Sequence, residues 1–529
     1  MHSTALVGML AFAAAATAQP LTPGSPASIQ NMKDKIKNVI FLCMENRSVD
    51  NLLGGQTQKG LENPINNGPY CNPYNVTDLS AGFFCSEPKD FDSVTNDPSH
   101  AVTGNNMEFY GQWTPDNTAI AEGRLLPNNQ GFITEQIHNY GSKTNITELA
   151  MQVMNYYTED EVPVLTSMVQ NFLTFNHWHS DFAGHPWPCT NLGTDYNYGF
   201  NYTSIFEAVT EAGHTWKNYW DTAGGTGPEA KAYTWTLESN NTDLVVPMTQ
   251  FYTDALAGDL PTFSYLNPSC CGVGTTSMHD SGLVSDGEAF IKKVYDSLRA
   301  GPQWDNSLLI ITFDETGGFH DHVAPSLAPR PDNLTYSEAA PNGIEYTYEF
   351  NRLGGRVPTW LISPWITEGA VEQFGTNSMG DTVSYCATSV LRTLGYLWDF
   401  SPFNPRVEWA PSFDHLIQTE SRSDVISTLP TAITFANPSI IPTTSFLPSS
   451  TPSTTFSTSI TTPTVIAPDC SHDNCLRAAI RGSASFTAFC GTYTTMLPSP
   501  TVLIPSYLDN CKADATRISS ACSCLVTSS

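Results

Sequence analysis

Apolar residues in this chain come in short unbroken runs more often than in alternation. Val39-Ile40-Phe41-Leu42 and Leu308-Leu309-Ile310-Ile311 are two such runs. An uninterrupted, β-branched run reads as a strand covered on both faces, and hence as part of a mainly parallel sheet flanked by helices. The intervening sequence switches to helical period. Ser285-Asp286-Gly287-Glu288 has the form of a capping box ahead of Phe290, Ile291, Val294, Tyr295 and Leu298, an apolar face that leads into the Leu308 run. Val357-Pro358-Thr359-Trp360-Leu361-Ile362-Ser363-Pro364 predicts another strand, and Ser389 to Leu394 a later helix. The pattern is that of a layered α/β fold.

Polar residues directly after the two runs carry the chemistry. Met44-Glu45-Asn46-Arg47-Ser48 follows the first, and Phe313-Asp314-Glu315-Thr316-Gly317-Gly318-Phe319-His320-Asp321-His322 the second. Ligand sites of α/β sheets lie at the carboxyl ends of strands. If the two strands are neighbours, Glu45, Asn46, Asp314 and Glu315 offer oxygen donors to one hard divalent cation, as in a metal-dependent hydrolase. Such a set accepts several ions, so the metal's identity stays open.

These strings, with the His177 to Thr190 region and the block from Leu353-Gly354-Gly355-Arg356-Val357-Pro358 to Ser363-Pro364-Trp365, resemble the phosphoesterases that include non-haemolytic bacterial phospholipases C and a group of acid phosphatases. The resemblance runs from about Ile36 to about Leu397. It implies an alkaline-phosphatase-like α/β/α sandwich, with Glu45, Asn46, Asp314 and Glu315 as metal ligands. It also implies hydrolysis of a phosphate ester, either a phospholipid cleaved on the glycerol side of phosphorus or a soluble phosphomonoester. The leaving alkoxide needs a proton, and His279, His320 and His322 are the histidines placed to give it, each with a neighbouring Asp to orient its ring. His177 and His179 are weaker candidates. One departure concerns the nucleophile. The family carries Gly-Pro-Thr/Ser-x-Pro-Asn-Arg, whereas this chain reads Gly184-His185-Pro186-Trp187-Pro188-Cys189-Thr190-Asn191, which puts Pro186 in the hydroxyl's place. Three alternatives stand: a shifted nucleophile such as Thr190, attack by metal-bound water or by His185, or loss of activity with retention of the pocket. Tyr385-Cys386-Ala387-Thr388-Ser389 also lacks the Asp-His that often precedes the family's Thr-Ser. A sulfatase-like chemistry is disfavoured, because no Cys-x-Pro-x-Arg type of string is present.

Composition narrows partners and compartment. The chain has 529 residues, is 40% hydrophobic and carries a formal charge of −28, enough for a full core and unsuited to polyphosphate backbones or anionic membranes. Ala5 to Ala16, followed by Ala16-Thr17-Ala18, has the form of a secretory signal and is too short to span a bilayer. Sequons at Asn75, Asn145, Asn201, Asn240 and Asn333 agree with export and glycosylation. No basic amphipathic stretch marks a membrane-docking face. Trp178, Trp187, Tyr196 and Tyr198 are candidates for a choline cage or for core or lid positions, of which the core reading fits best.

The expected organisation is a signal peptide over 1–18, a phosphoesterase domain over 19–437, a Ser/Thr/Pro-rich linker over 438–468 and a Cys-rich module over 469–529. The linker's composition cannot bury a core. The tail holds Cys470, Cys475, Cys490, Cys511, Cys522 and Cys524 and resembles small modules of secreted fungal proteins, which suits wall attachment or protection from proteolysis. The main domain holds Cys43, Cys71, Cys85, Cys189, Cys270, Cys271 and Cys386, an odd number that leaves one thiol over. Cys43, in a buried strand, is the candidate. The competing functional reading is a secreted binding protein that keeps the metal pocket without turnover.

Overall fold

Asn38–Met44 forms strand β1 and Ser307–Phe313 forms β6, and all seven residues of each are buried. Burial of every position, odd and even, means both faces of the sheet are covered, as the unbroken apolar runs require. The two strands are parallel neighbours, paired from Asn38 opposite Ser307 to Met44 opposite Phe313. Around them an eight-stranded sheet also contains β2 (Leu173–Phe175), β3 (Trp216–Trp220), β4 (Val245–Pro247), β5 (Phe263–Asn267), β7 (Trp360–Ile362) and β8 (Val371–Glu372). Its order is β8-β2-β7-β6-β1-β5-β3-β4, and only β7 runs against the others.

The computed structural model describes residues 21–184, 200–221 and 227–438. By its contacts the chain divides into two compact units, Met1–Ser445 and Phe446–Ser529, and every described residue lies in the first. The expected signal segment, the Cys-rich module and all of the linker after Pro438 fall outside the described residues. Among the described residues no helix is long and apolar enough to cross a membrane.

Two sets of helices cover the sheet. Pro26–Lys35 (α1), opened by Ser25 accepting from the Ser28 amide, packs with Thr388–Trp398 (α8). Pro163–Asn171 (α5) and Met248–Ala257 (α6) both pack against Val284–Ala300 (α7). Between β1 and β2 the helices Val102–Tyr110 (α2), Phe132–Tyr140 (α3) and Ile146–Met154 (α4) enclose a small core of their own, including Phe109, Ile120, Phe132 and Ile133.

Two local expectations are corrected. Ser285 does not cap α7, because the helix begins at Val284, two residues earlier than that cap requires, after Leu283. Asp92 takes the capping role from a remote loop: its carboxylate accepts from the Ser285 amide at 2.9 Å and from Ser285 Oγ at 2.8 Å. Glu288, freed from the box, accepts from the Leu165 amide at 2.9 Å. The predicted Val357–Pro364 strand pairs only over Trp360–Ile362, bracketed by Pro358 and Pro364, neither of which has an N–H for a ladder. Trp178 is fully buried against Phe175 and Tyr385, so it is core and not a cage wall. Trp187, Tyr196 and Tyr198 lie outside the described residues.

Disulfides join Cys71 to Cys85 and Cys270 to its neighbour Cys271. Cys43, inside β1, and Cys386 are buried outside these two bonds. Cys189 is not among the described residues.

Candidate active site

Because β1 and β6 end level with one another, Glu45-Asn46 and Asp314-Glu315 leave the sheet side by side. Asn46 turns into the left-handed region, with φ 61°, and its amide donates to Asp314 Oδ1 at 2.9 Å. The Glu315 amide donates to the same oxygen at 2.6 Å, and the Arg47 amide to the Glu315 carbonyl at 3.0 Å. Gly317, at φ 61°, lies so close that a Cβ there would stand 2.6 Å from the Asn46 carbonyl oxygen. Only glycine fits that approach.

All four side chains are buried. Burial pushes the Asp314 carboxyl up to about 7, and burial together with Asp314's charge holds Glu45 and Glu315 well above the usual carboxylate range. Three buried carboxyls whose charged forms burial disfavours, beside an amide oxygen, form an all-oxygen donor set that a hard divalent cation would stabilise in its ionised state. The donors therefore fit such an ion.

His279 and His100 stand beside this set, with their rings 5.7 Å apart and edge to face. His100 Nδ1 lies 3.3 Å from Asn46 Nδ2 and 3.9 Å from Glu315 Oε1. Ligand atoms of Asp97, His100 and His279 fall within 4.8 Å of each other, as do those of Glu45, Cys270, Cys271 and His279.

His320 and His322 go elsewhere. They join Asp50, Asp321 and Arg356 in a buried network that ties the end of the first motif to the end of the second. Arg356 Nε donates to Asp321 Oδ1 at 2.9 Å, and its Nη2 to Asp50 Oδ1 at 3.0 Å. His322 Nδ1 lies 2.8 Å from Asp50 Oδ2, and the ring stacks on Tyr70 at 4.1 Å. His320 packs against Phe132 at 5.0 Å, and burial lowers its pKa to about 3. Burial thus favours the neutral imidazole over the imidazolium that would act as a general acid. The expectation that the sequence-adjacent Asp orients each histidine is thus corrected. Asp321 serves Arg356, His322 is held by Asp50, and His279 Nδ1 meets the backbone carbonyl of Asp280, at 3.2 Å, and not its carboxylate. The Asp280 side chain faces Arg47 at 3.7 Å. His177 stacks on Phe374 at 3.9 Å beside Glu62, and His179 Nδ1 lies 2.8 Å from the Gly354 carbonyl. Burial lowers the pKa of each to about 4. His185 and Thr190 lie outside the described residues.

The model of the Phosphoesterase family matches residues 36–401. The chain belongs to this family. As a phosphoesterase it is a phosphoric ester hydrolase, on a mixed α/β fold with a covered central sheet. It is 30% identical over 431 residues to non-specific phospholipase C6 of Arabidopsis thaliana, covering 75% of each chain. It is 26% identical over 396 residues to the non-hemolytic phospholipase C of Pseudomonas aeruginosa, covering 64% of this chain and 52% of that one. Among solved structures, an alkaline phosphatase superfamily protein from Vibrio parahaemolyticus superposes with a TM-score of 0.25 at 11% identity, covering 47% of this chain and 63% of that one.

In this phosphoesterase, sequence reasoning missed His100, Asp97 and Arg356's part in the network. Asp97-Pro98-Ser99-His100 sits in a loop with no hydrophobic period to place it. Its only sequence signal was a His and an Asp three residues apart in a polar stretch.

Proposed function

We propose that the protein is a secreted, metal-dependent phosphoesterase of the phospholipase C type, cleaving a phospholipid to diacylglycerol and a phosphorylated head group. The observation that carries this reading is the pairing of Glu45-Asn46 with Asp314-Glu315 at level ends of adjacent strands, with His100 and His279 alongside. A divalent ion held by those four residues would polarise the phosphoryl group and favour ionisation of a nearby nucleophile. The chain's own groups do the rest. Backbone amides of Asn46 and Glu315 fix Asp314. His279, half-buried at the edge of the set, is placed to hand a proton to the leaving oxygen. Thr190 or His185 supplies the attacking atom in place of the residue displaced by Pro186. The relatives' names favour a phospholipid over a soluble phosphomonoester. Export is supported by the leader-like N-terminus and by the Cys71–Cys85 disulfide, which suits an oxidising compartment. The Cys-rich tail is assigned to retention at a cell wall.

The test is hydrolysis of p-nitrophenylphosphorylcholine and of a chromogenic phosphomonoester by the purified secreted protein, before and after chelation, with Asp314→Ala as control. Chelator-sensitive turnover lost in Asp314→Ala supports the proposal, and Thr190→Ala then separates the two nucleophiles. Metal binding without turnover of either ester at any pH from about 4 to 8, the span of carboxylate and imidazole titration, overturns it in favour of a binding protein.

A further inference from the structure

The Cys270–Cys271 disulfide lies directly against Glu45: Cys270 Sγ contacts Glu45 Oε2, and Cys271 Sγ is 3.8 Å from the same oxygen. His279 completes the group, and one ligand atom from each of the four residues falls within 4.8 Å of the others. Two sulfurs, an imidazole and a carboxylate are the donor types of a tetrahedral site for a soft or borderline cation. The oxidised pair cannot serve, since thiolates and not disulfide sulfurs bind such ions. We propose that reduction of this disulfide converts the edge of the active site into a binding site for a soft divalent cation such as cadmium or zinc, built from Cys270, Cys271, Glu45 and His279. Its inhibitory consequence rests on the reading of Glu45 as a ligand of the hard cation; the site itself does not.

The chemistry balances with a dithiol as reductant. Its thiolate attacks the sulfur of Cys271, the exposed residue of the pair, the S–S bond breaks, and Cys270 leaves as a thiolate with the bonding electron pair. The reductant's second thiol then displaces Cys271 and closes its own disulfide, so two electrons and two protons pass to the protein. Freed from their bond, the sulfurs can separate to the roughly 3.5–4 Å that adjacent thiolate donors span around a zinc-sized ion. Cys270 is buried beside a carboxylate, where a thiolate without a counter-cation is disfavoured. A soft cation removes that penalty while the two thiol protons are released, so binding and reduction favour each other. Cadmium held through the Glu45 oxygen that faces the two sulfurs competes with the hard cation for this carboxylate, which weakens the catalytic set of the reduced, cadmium-loaded enzyme.

The experiment treats the full-length protein with dithiothreitol, removes the reductant and titrates cadmium while following the thiolate-to-cadmium charge-transfer band. The Cys270→Ser/Cys271→Ser double variant, handled identically, subtracts the other cysteines. The expected result is a band in reduced wild type that exceeds the variant's by the amplitude of two thiolates, with no such excess before reduction. His279→Ala should weaken cadmium binding about 10-fold or more, at least as much as loss of an outer-shell partner does. A second readout needs no variant: cadmium should protect Cys270 and Cys271 of reduced wild type from alkylation, as mapped by mass spectrometry. Equal bands in wild type and double variant, or alkylation of both cysteines unaffected by cadmium, overturns the proposal. Turnover separates this result from the functional reading. If no ester is hydrolysed in any redox state the enzymatic reading fails, while the band and the alkylation map still decide the site.

Discussion

Replacing Arg356 by Met tests whether the network that joins the two motifs beside the candidate active site is held by charge. The guanidinium is fully buried and bonded to two buried carboxylates, Asp321 at 2.9 and 3.2 Å and Asp50 at 3.0 Å. It also donates to the Glu62 carbonyl at 3.2 Å and the Asn176 carbonyl at 3.1 Å. Met fills a similar volume but leaves both carboxylates without their cation, and breaking a buried pair in this way costs about 3–5 kcal/mol. With an unfolding entropy of about 2.1 cal/mol/K per residue over roughly 400 folded residues, that cost lowers Tm by about 4–6 °C. Differential scanning calorimetry at neutral pH reads the shift. The same measurement on Arg356→Met/Asp50→Asn/Asp321→Asn should recover at least half of it, because the charges needing compensation are gone. A shift below about 1 °C, or a triple variant no more stable than the single, would refute the assignment of the network's stability to charge pairing.

Gly317→Ala should lower divalent-metal affinity by about 10-fold or more, since its Cβ would push on Asn46; isothermal titration with manganese checks this, and unchanged affinity refutes it. Glu288→Gln tests a buried acid whose pKa burial raises to about 8. Its folded value lies above its unfolded one, so its contribution is full at low pH and is lost as pH rises toward 8. The Gln variant, which keeps an acceptor for the Leu165 amide, should match wild type near pH 4 and be more stable by about 5 kcal/mol near pH 9, as read by denaturant unfolding. His179→Gln tests the opposite sign. The folded imidazole titrates near 4, below its unfolded value, so its contribution is present at neutral pH and lost as pH falls from about 6.5 toward 4. The variant's Tm should decline less than wild type's over that window, and parallel declines would sink the argument. Trp360→Ala, at a fully buried position of β7, should cost about 3–5 kcal/mol in the same unfolding assay.

The sheet's centre was legible because β1 and β6 are covered on both faces, and a short unbroken β-branched run suits a doubly covered strand better than a half-exposed strand or a surface helix. The acids following them were legible for the same reason, since a strand end fixes where the next two residues can go. The surroundings were not. Asp92 caps α7 from a loop remote in sequence, and no local pattern distinguishes that from the Ser285 box. Asp321 lies between two histidines in the chain yet bonds Arg356, because a fully buried guanidinium, always charged, draws both Asp321 and Asp50 more strongly than a neighbouring neutral imidazole does. His100 reaches Glu315 from a loop whose course is set by the α2–α4 core, a tertiary fact with no signature in its own residues.

The in-register ending of β1 and β6 has a consequence for how this chain can vary. A strand advances about 3.3 Å per residue and turns its side chains over at every step. One residue inserted into either strand would therefore carry Glu45-Asn46 past Asp314-Glu315 and face it the other way, while an insertion in the loops before either strand would leave their meeting point unmoved. The distance between the two motifs along the chain is free to drift; the length of the two strands that present them is not.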